Sequence, residues 1–155
     1  MRFSVPFVVL AALLAAVCAG AARAENPPTG WIPDPRTGCK IWDAAPDPEE
    51  RITWSGPCTG GMAEGNGTLQ LFVGDEPGAR YEGDMRAGRA DGQGINTLPD
   101  GTRYEGAWRN NAAHGLGTLT RPGGERFEGN WTNGCLKLGT AELAVGVAPQ
   151  SCGFK

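Results

Sequence analysis

The sequence predicts an all-β protein: a single-layer antiparallel meander of hairpins, curved, with disulfide-stapled caps at its two ends. Three observations lead there. One phrase is written three times, as Tyr81-Glu82-Gly83-Asp84-Met85, Tyr104-Glu105-Gly106-Ala107-Trp108 and Phe127-Glu128-Gly129-Asn130-Trp131, at a spacing of 23 residues. A second phrase follows 11 residues after the first two starts, as Gly92-Gln93-Gly94 and Gly115-Leu116-Gly117. An earlier copy begins at Trp54-Ser55-Gly56-Pro57-Cys58, carries Gly65-Asn66-Gly67 at the same offset, and runs 4 residues longer. A fixed period of this length marks a repeat array, in which each unit buries its apolar face only against its neighbours. The third observation is the turn chemistry between units: Asp75-Glu76-Pro77-Gly78, Pro99-Asp100-Gly101 and Pro122-Gly123-Gly124. There Pro fixes φ and Gly admits positive φ.

Each unit reads as one hairpin. Along a strand, Tyr104, Gly106 and Trp108 share a face and Glu105 points the other way. Glycine between two aromatics weakens a strand unless the rings fold over the gap or another backbone passes close by. Gly115 and Gly117 share one face of the returning strand and leave room for the rings opposite. The pattern resembles the MORN repeat (membrane occupation and recognition nexus), with its Tyr-x-Gly-x-Trp, a Gly in the turn, and Gly-x-Gly. The resemblance covers residues 54 to about 140. Departures stand at Cys58 and Met85, where Trp108 and Trp131 occupy the later units, and at Asn111, which replaces the turn glycine seen as Gly61, Gly88 and Gly134. Leu138 and Thr140 stand where the fourth Gly-x-Gly belongs, so three repeats are complete and the fourth is half repeat, half cap.

The chain divides as follows. Residues 1–24 read as a secretory leader: Arg2 is the basic start, Phe7 to Ala16 the apolar run, and Ala22-Arg23-Ala24 a small-x-small cleavage site. Val17 before Cys18 is a poor match to a lipoprotein site, and the apolar run is short for an anchor. The expected location is therefore periplasmic or secreted, with cleavage after Ala24. Residues 25–53 form a lead-in and capping strand: Glu25 to Pro35 is expected to be irregular, and Cys39-Lys40-Ile41-Trp42 is expected to pair with Arg51-Ile52-Thr53-Trp54. The repeats occupy 54–80, 81–103, 104–126 and 127–140, and residues 141–155 close the array, with Ala141 to Val147 as a final strand.

Four cysteines remain after the leader, Cys39, Cys58, Cys135 and Cys152, and an even count in an exported chain favours disulfides. Three pairings are possible. Cys39–Cys58 and Cys135–Cys152 is the expected one, because each bond staples a cap to its nearest repeat. Without Arg2 and Arg23, 12 basic side chains face 17 acidic ones, a net charge of −5. That disfavours nucleic acid as a partner.

Chemistry is sparse. His114 is the lone histidine, beside Gly115 at a turn, and Ser55 and Ser151 are the two serines of the exported part. A nucleophile needs a partner base, and a zinc site needs more ligands than these. Glu82, Glu105 and Glu128 recur at one position, but Arg80, Arg103 and Arg126 stand two residues before them, so the set reads as an Arg/Glu ladder on a polar face. The Gly-x-Gly pairs lack the third glycine and the helix of a phosphate loop. No catalytic residue, cofactor or metal is expected. The aromatic row of Trp54, Tyr81, Tyr104, Trp108, Phe127 and Trp131 is either the packing core of a thin sheet or the lining of a concave groove. The expected function is a non-enzymatic binding or scaffolding module in the cell envelope, acting on a protein partner or by self-association. The alternative is a glycan- or lipid-binding module using the aromatic face. The resemblance itself implies protein–protein contact, homodimerisation or lipid binding.

Overall fold

The computed structural model describes residues 30–154, so the expected leader 1–24, its cleavage site and the start of the lead-in lie outside the described residues. The strands are β1 (Trp31–Pro33), β2 (Lys40–Trp42), β3 (Glu50–Trp54), β4 (Cys58–Thr59), β5 (Met62–Ala63), β6 (Gly65–Val73), β7 (Glu76–Arg86), β8 (Arg89–Thr97), β9 (Arg103–Arg109), β10 (Ala112–Thr120), β11 (Arg126–Trp131), β12 (Cys135–Leu138) and β13 (Ala141–Ala144). A single 3₁₀ turn, Pro149–Cys152, follows.

The sequence period becomes a strand period. Strands β6 to β11 pair antiparallel with their chain neighbours, and β3 adds to β6, giving the order β11-β10-β9-β8-β7-β6-β3. Two kinds of turn alternate along it. Turns of two residues close the hairpins within a unit, with both central residues at positive φ: Ala87 and Gly88 (46° and 74°), Asn110 and Asn111 (48° and 68°), Asn133 and Gly134 (48° and 84°). This is the type I′ geometry that matches strand twist. Longer turns join the units, where Leu98 donates its N–H to Thr102 and Arg121 donates to Glu125, at 2.8 and 2.9 Å.

Asn111 explains its own departure from the repeat. Its backbone tolerates the left-handed turn, as asparagine does more readily than other residues with a side chain. Its carboxamide accepts the N–H of Ala90 at 2.7 Å and donates to the carbonyl of Trp42 at 2.9 Å. A glycine would close the turn but not clasp the cap.

The N-terminal cap departs from expectation in two ways. Trp31–Pro33 is a strand rather than irregular chain, pairing antiparallel with β2. β2 does not pair with β3: its other neighbour is β5, in parallel, while β3 joins the repeat sheet beside β6. The reason is Asp34. Its fully buried carboxylate accepts the N–H of Trp54 at 2.8 Å and binds the guanidinium of Arg36 at 2.8 Å, occupying the outer edge of β3. The C-terminal cap forms the β12–β13 hairpin, and Val145 then exchanges backbone bonds with Ala113 and Gly134. Both caps fold toward the ring-bearing face of the sheet.

The expected disulfides are present, Cys39–Cys58 and Cys135–Cys152, spanning 19 and 17 residues. In the chain-entropy model a loop of this length contributes about 3 kcal/mol. A Cys135→Ser/Cys152→Ser variant is therefore expected to lose about 3 kcal/mol of unfolding free energy in non-reducing denaturant titration.

Candidate functional site

The aromatic row is built on glycine. Gly67, Gly83, Gly94, Gly106, Gly117 and Gly129 lie directly opposite one another across six strands, making a stripe with no side chains. Tyr81 lies over Gly83 and Gly94, Tyr104 over Gly106 and Gly117, and Trp54 over Gly56 and Gly67, so a Cβ at any of these glycines would enter a ring or the facing backbone. Each of these three rings is anchored to the carbonyl three residues ahead. Trp54 Nε1 donates to Pro57 at 2.8 Å, Tyr81 Oη to Asp84 at 2.8 Å and Tyr104 Oη to Ala107 at 3.1 Å. The second ring of the phrase is anchored as well, Trp108 Nε1 to the Gly94 carbonyl and Trp131 Nε1 to that of Gly117, both at 3.1 Å. The four rings Tyr81, Trp108, Tyr104 and Trp131 meet edge to face with centroids 5.0 to 5.6 Å apart.

These contacts make the row a core. Trp54, Tyr81, Tyr104, Trp108 and Trp131 are between 1% and 7% exposed. Phe127 is half-buried and lies under the Arg121 guanidinium at 4.9 Å. The difference is chemical. Phe127 has no hydroxyl to anchor, and Leu136, standing where the other units carry Ala63, Ala90 and Ala113, takes the space above Gly129. Burial pushes the Tyr104 hydroxyl up to about 12, and Tyr81 is raised too, chiefly by burial and then by Asp84 and Asp91.

The glycine pairs have split roles. The second of each pair lies under a ring, whereas Gly92 and Gly115 adopt φ of 129° and 90° where the ladder shifts register. The expectation that Gly115 makes room for a ring is thus corrected: it forms a bulge.

Around the rings, a groove of about 580 Å³ opens between the loop of Asp43 to Ala45 and the segment of Ala144 to Ala148, floored by Asn96, Tyr104 and Leu119. Asn96 stands where the flanking units place Leu69 and Leu119, and no side-chain hydrogen bond engages its carboxamide among the described residues.

The opposite face is polar. Thr68, Glu82, Ile95, Glu105, Thr118 and Glu128 form one row across it. Arg80 pairs with Glu82 at 2.8 Å and Arg103 with Glu105 at 2.6 Å. His114 lies in β10 rather than at the turn, and its Nδ1 accepts the Asn133 N–H at 3.3 Å, bracing the next hairpin. Among the described residues no group of three His, Cys, Asp or Glu is placed to hold a metal ion.

Two buried carboxylates escaped the sequence reading. For Asp34, burial would raise the pKa, but hydrogen bonds from Arg36 and from the Trp54 and Arg36 backbones outweigh it and hold the group below its ordinary 3.8. Glu50 is raised above its ordinary 4.5, first by burial and then by the charges of Asp43 and Asp47, against one bond from the Asp47 N–H. Its Oε1 is buried without a hydrogen-bond partner.

The MORN repeat model matches residues 81–103 and 104–126, one repeat each. A comparison with curated proteins finds no match.

Two tests follow from this geometry. Trp131→Ala should lose about 3–5 kcal/mol of stability, as for a large buried ring, while Phe127→Ala should lose about 1 kcal/mol or less in the same titration. The two carboxylates carry opposite pH signatures. Asp34, depressed in the fold, stabilises above its unfolded pKa and loses that contribution as pH falls. Glu50, raised in the fold, stabilises below its unfolded pKa and loses that contribution as pH rises. In thermal melts across pH, Glu50→Gln should therefore raise Tm at neutral pH, the gain vanishing below about pH 4. Asp34→Asn should flatten the acid limb of the Tm profile.

The matches at the second and third hairpins, in register with the anchored rings, support reading the chain as a MORN-repeat protein.

Proposed function

We propose that the chain is an exported, non-enzymatic binding or scaffolding module whose partner is a protein of the cell envelope. The observation that carries this reading is how the repeat spends its chemistry. The Tyr and Trp donors are bonded to main-chain carbonyls, and Glu82 and Glu105 are paired with arginines. What each unit offers outward is extended sheet surface, repeated at a fixed spacing and stapled at both ends. Stapling by disulfides is compatible with an oxidising extracellular compartment.

A glycan or lipid partner in the ring-face groove is the second reading, favoured by the Asn96 carboxamide, which no side-chain hydrogen bond engages among the described residues, in a groove lined largely by Ala, Leu and Val. Asn96→Leu, which restores the residue of the neighbouring units, separates the two.

Crosslinking of the tagged, disulfide-bonded protein in envelope fractions is expected to capture one dominant protein, with capture unchanged in Asn96→Leu. Retention on peptidoglycan or lipid vesicles that Asn96→Leu abolishes would move the function to the second reading.

A further inference from the structure

The two edges of the repeat sheet are treated differently. At β3, Asp34 accepts the Trp54 N–H and the half-exposed Arg36 donates from Nη2 to the Trp54 carbonyl at 3.3 Å, so this ion pair closes that edge at Trp54. At β11 the fourth hairpin starts and then stops. Thr132 and Cys135 exchange both backbone bonds at 3.0 Å across the Asn133–Gly134 turn, after which the chain turns away to make β12–β13. Among the described residues no return strand lies beside Arg126, Glu128 and Asn130.

The hydrogen-bond phase shows which groups are left open. Arg121 N–H bonds the Glu125 carbonyl, so in the alternating ladder Leu119/Phe127 and Gly117/Gly129 are the pairs that exchange bonds with β10. The N–H and C=O groups of Arg126, Glu128 and Asn130 therefore point to the free side, in phase with Thr132. All three residues are exposed. Their charges are not a guard placed on an edge, because the interior strands carry the same Arg80/Glu82 and Arg103/Glu105. An exposed edge of this kind is a template for another strand.

We infer that the β11 edge is a docking site for one extended segment of a partner protein, which adds antiparallel as the missing return strand. The inference rests on the reading of the chain as a protein-binding module. The array itself specifies what fits. Opposite the equivalents of Gly129 stand Gly94 and Gly117, opposite Glu82 and Glu105 stand Ile95 and Thr118, and opposite Arg80 and Arg103 stand Thr97 and Thr120. Leu136 lies over Gly129 itself, where a Cβ would meet its methyl groups. The segment is thus a small residue, then uncharged β-branched residues at the next and third positions, as in Gly117-Thr118-Leu119-Thr120.

The test is a titration of the ¹⁵N-labelled, disulfide-bonded protein with a synthetic peptide of residues 112–121. Saturable shifts centred on the amides of Arg126, Glu128 and Asn130 are expected, with those amides gaining protection from hydrogen exchange. Glu128→Pro removes an outward N–H that no internal bond uses, and should weaken binding at least tenfold. A second variant, Asn130→Pro, does the same if the first fails to fold. No saturable shift, or shifts confined to the groove around Asn96, would overturn the inference. So would a concentration-dependent dimer abolished by Glu128→Pro, since the occupant would then be a second copy. If crosslinked envelope protein is still captured by a folded Glu128→Pro variant, the edge assignment falls while the binding-module reading stands.

Discussion

The structure depends on a contact between aromatic rings and bare backbone. A single sheet has no second layer against which to bury side chains, so its rings must lie down on the sheet itself. That is possible only where the strands carry no Cβ, which is why one glycine from each of six strands lines up in a row. Burial of a ring supplies the hydrophobic stabilisation. The hydrogen bond from Trp54, Tyr81 and Tyr104 to a carbonyl three residues on fixes each ring's orientation and removes the cost of burying a polar tip. Where the hydroxyl is missing, at Phe127, the ring stands off and a leucine fills the place.

The caps solve a different problem. Rings lying on one face remain open to water above, and the caps cover them from the hairpin-turn side through Ile41, Leu143 and Val145. Each cap is short and held by one disulfide, and in the N-terminal cap the buried Asp34 carboxylate with its Arg36 partner adds a second hold. Asp34 is satisfied by its partners in a way Glu50 is not, and the opposite pKa directions of the two groups express that difference.

Much of this was legible in the sequence, and the reason is periodicity. Tyr104-Glu105-Gly106-Ala107-Trp108 names the face, the gap and the ring in five residues, and its recurrence fixes strand order. The cysteine pairing was legible because each cap has one repeat beside it. The caps themselves were not. β2 pairs in parallel with β5 through a single register, Lys40 with Met62, and nothing local announces a partner so far along the chain. The role of Asp34 depends on Trp54 arriving above it, 20 residues on. Whether the ring row was groove or core was also open, since the spacing gives a face but not what lies upon it. Asn96 carries a signal of its own in the sequence: it stands between Leu69 and Leu119 at one repeat position.

The bond from Asn111 to the Trp42 carbonyl joins residues 69 apart in sequence. In an ordinary solenoid each unit touches only its neighbours, so folding nucleates anywhere and spreads, and ends fray independently. Here the capping strand β2 is finished by the third unit. A chain made from its N-terminus therefore carries Trp42 without its final partner until the third hairpin has turned. Completion of the cap is tied to the turn of the third hairpin. The clasp converts a one-dimensional stack, able to melt unit by unit, into a domain whose beginning waits for its middle.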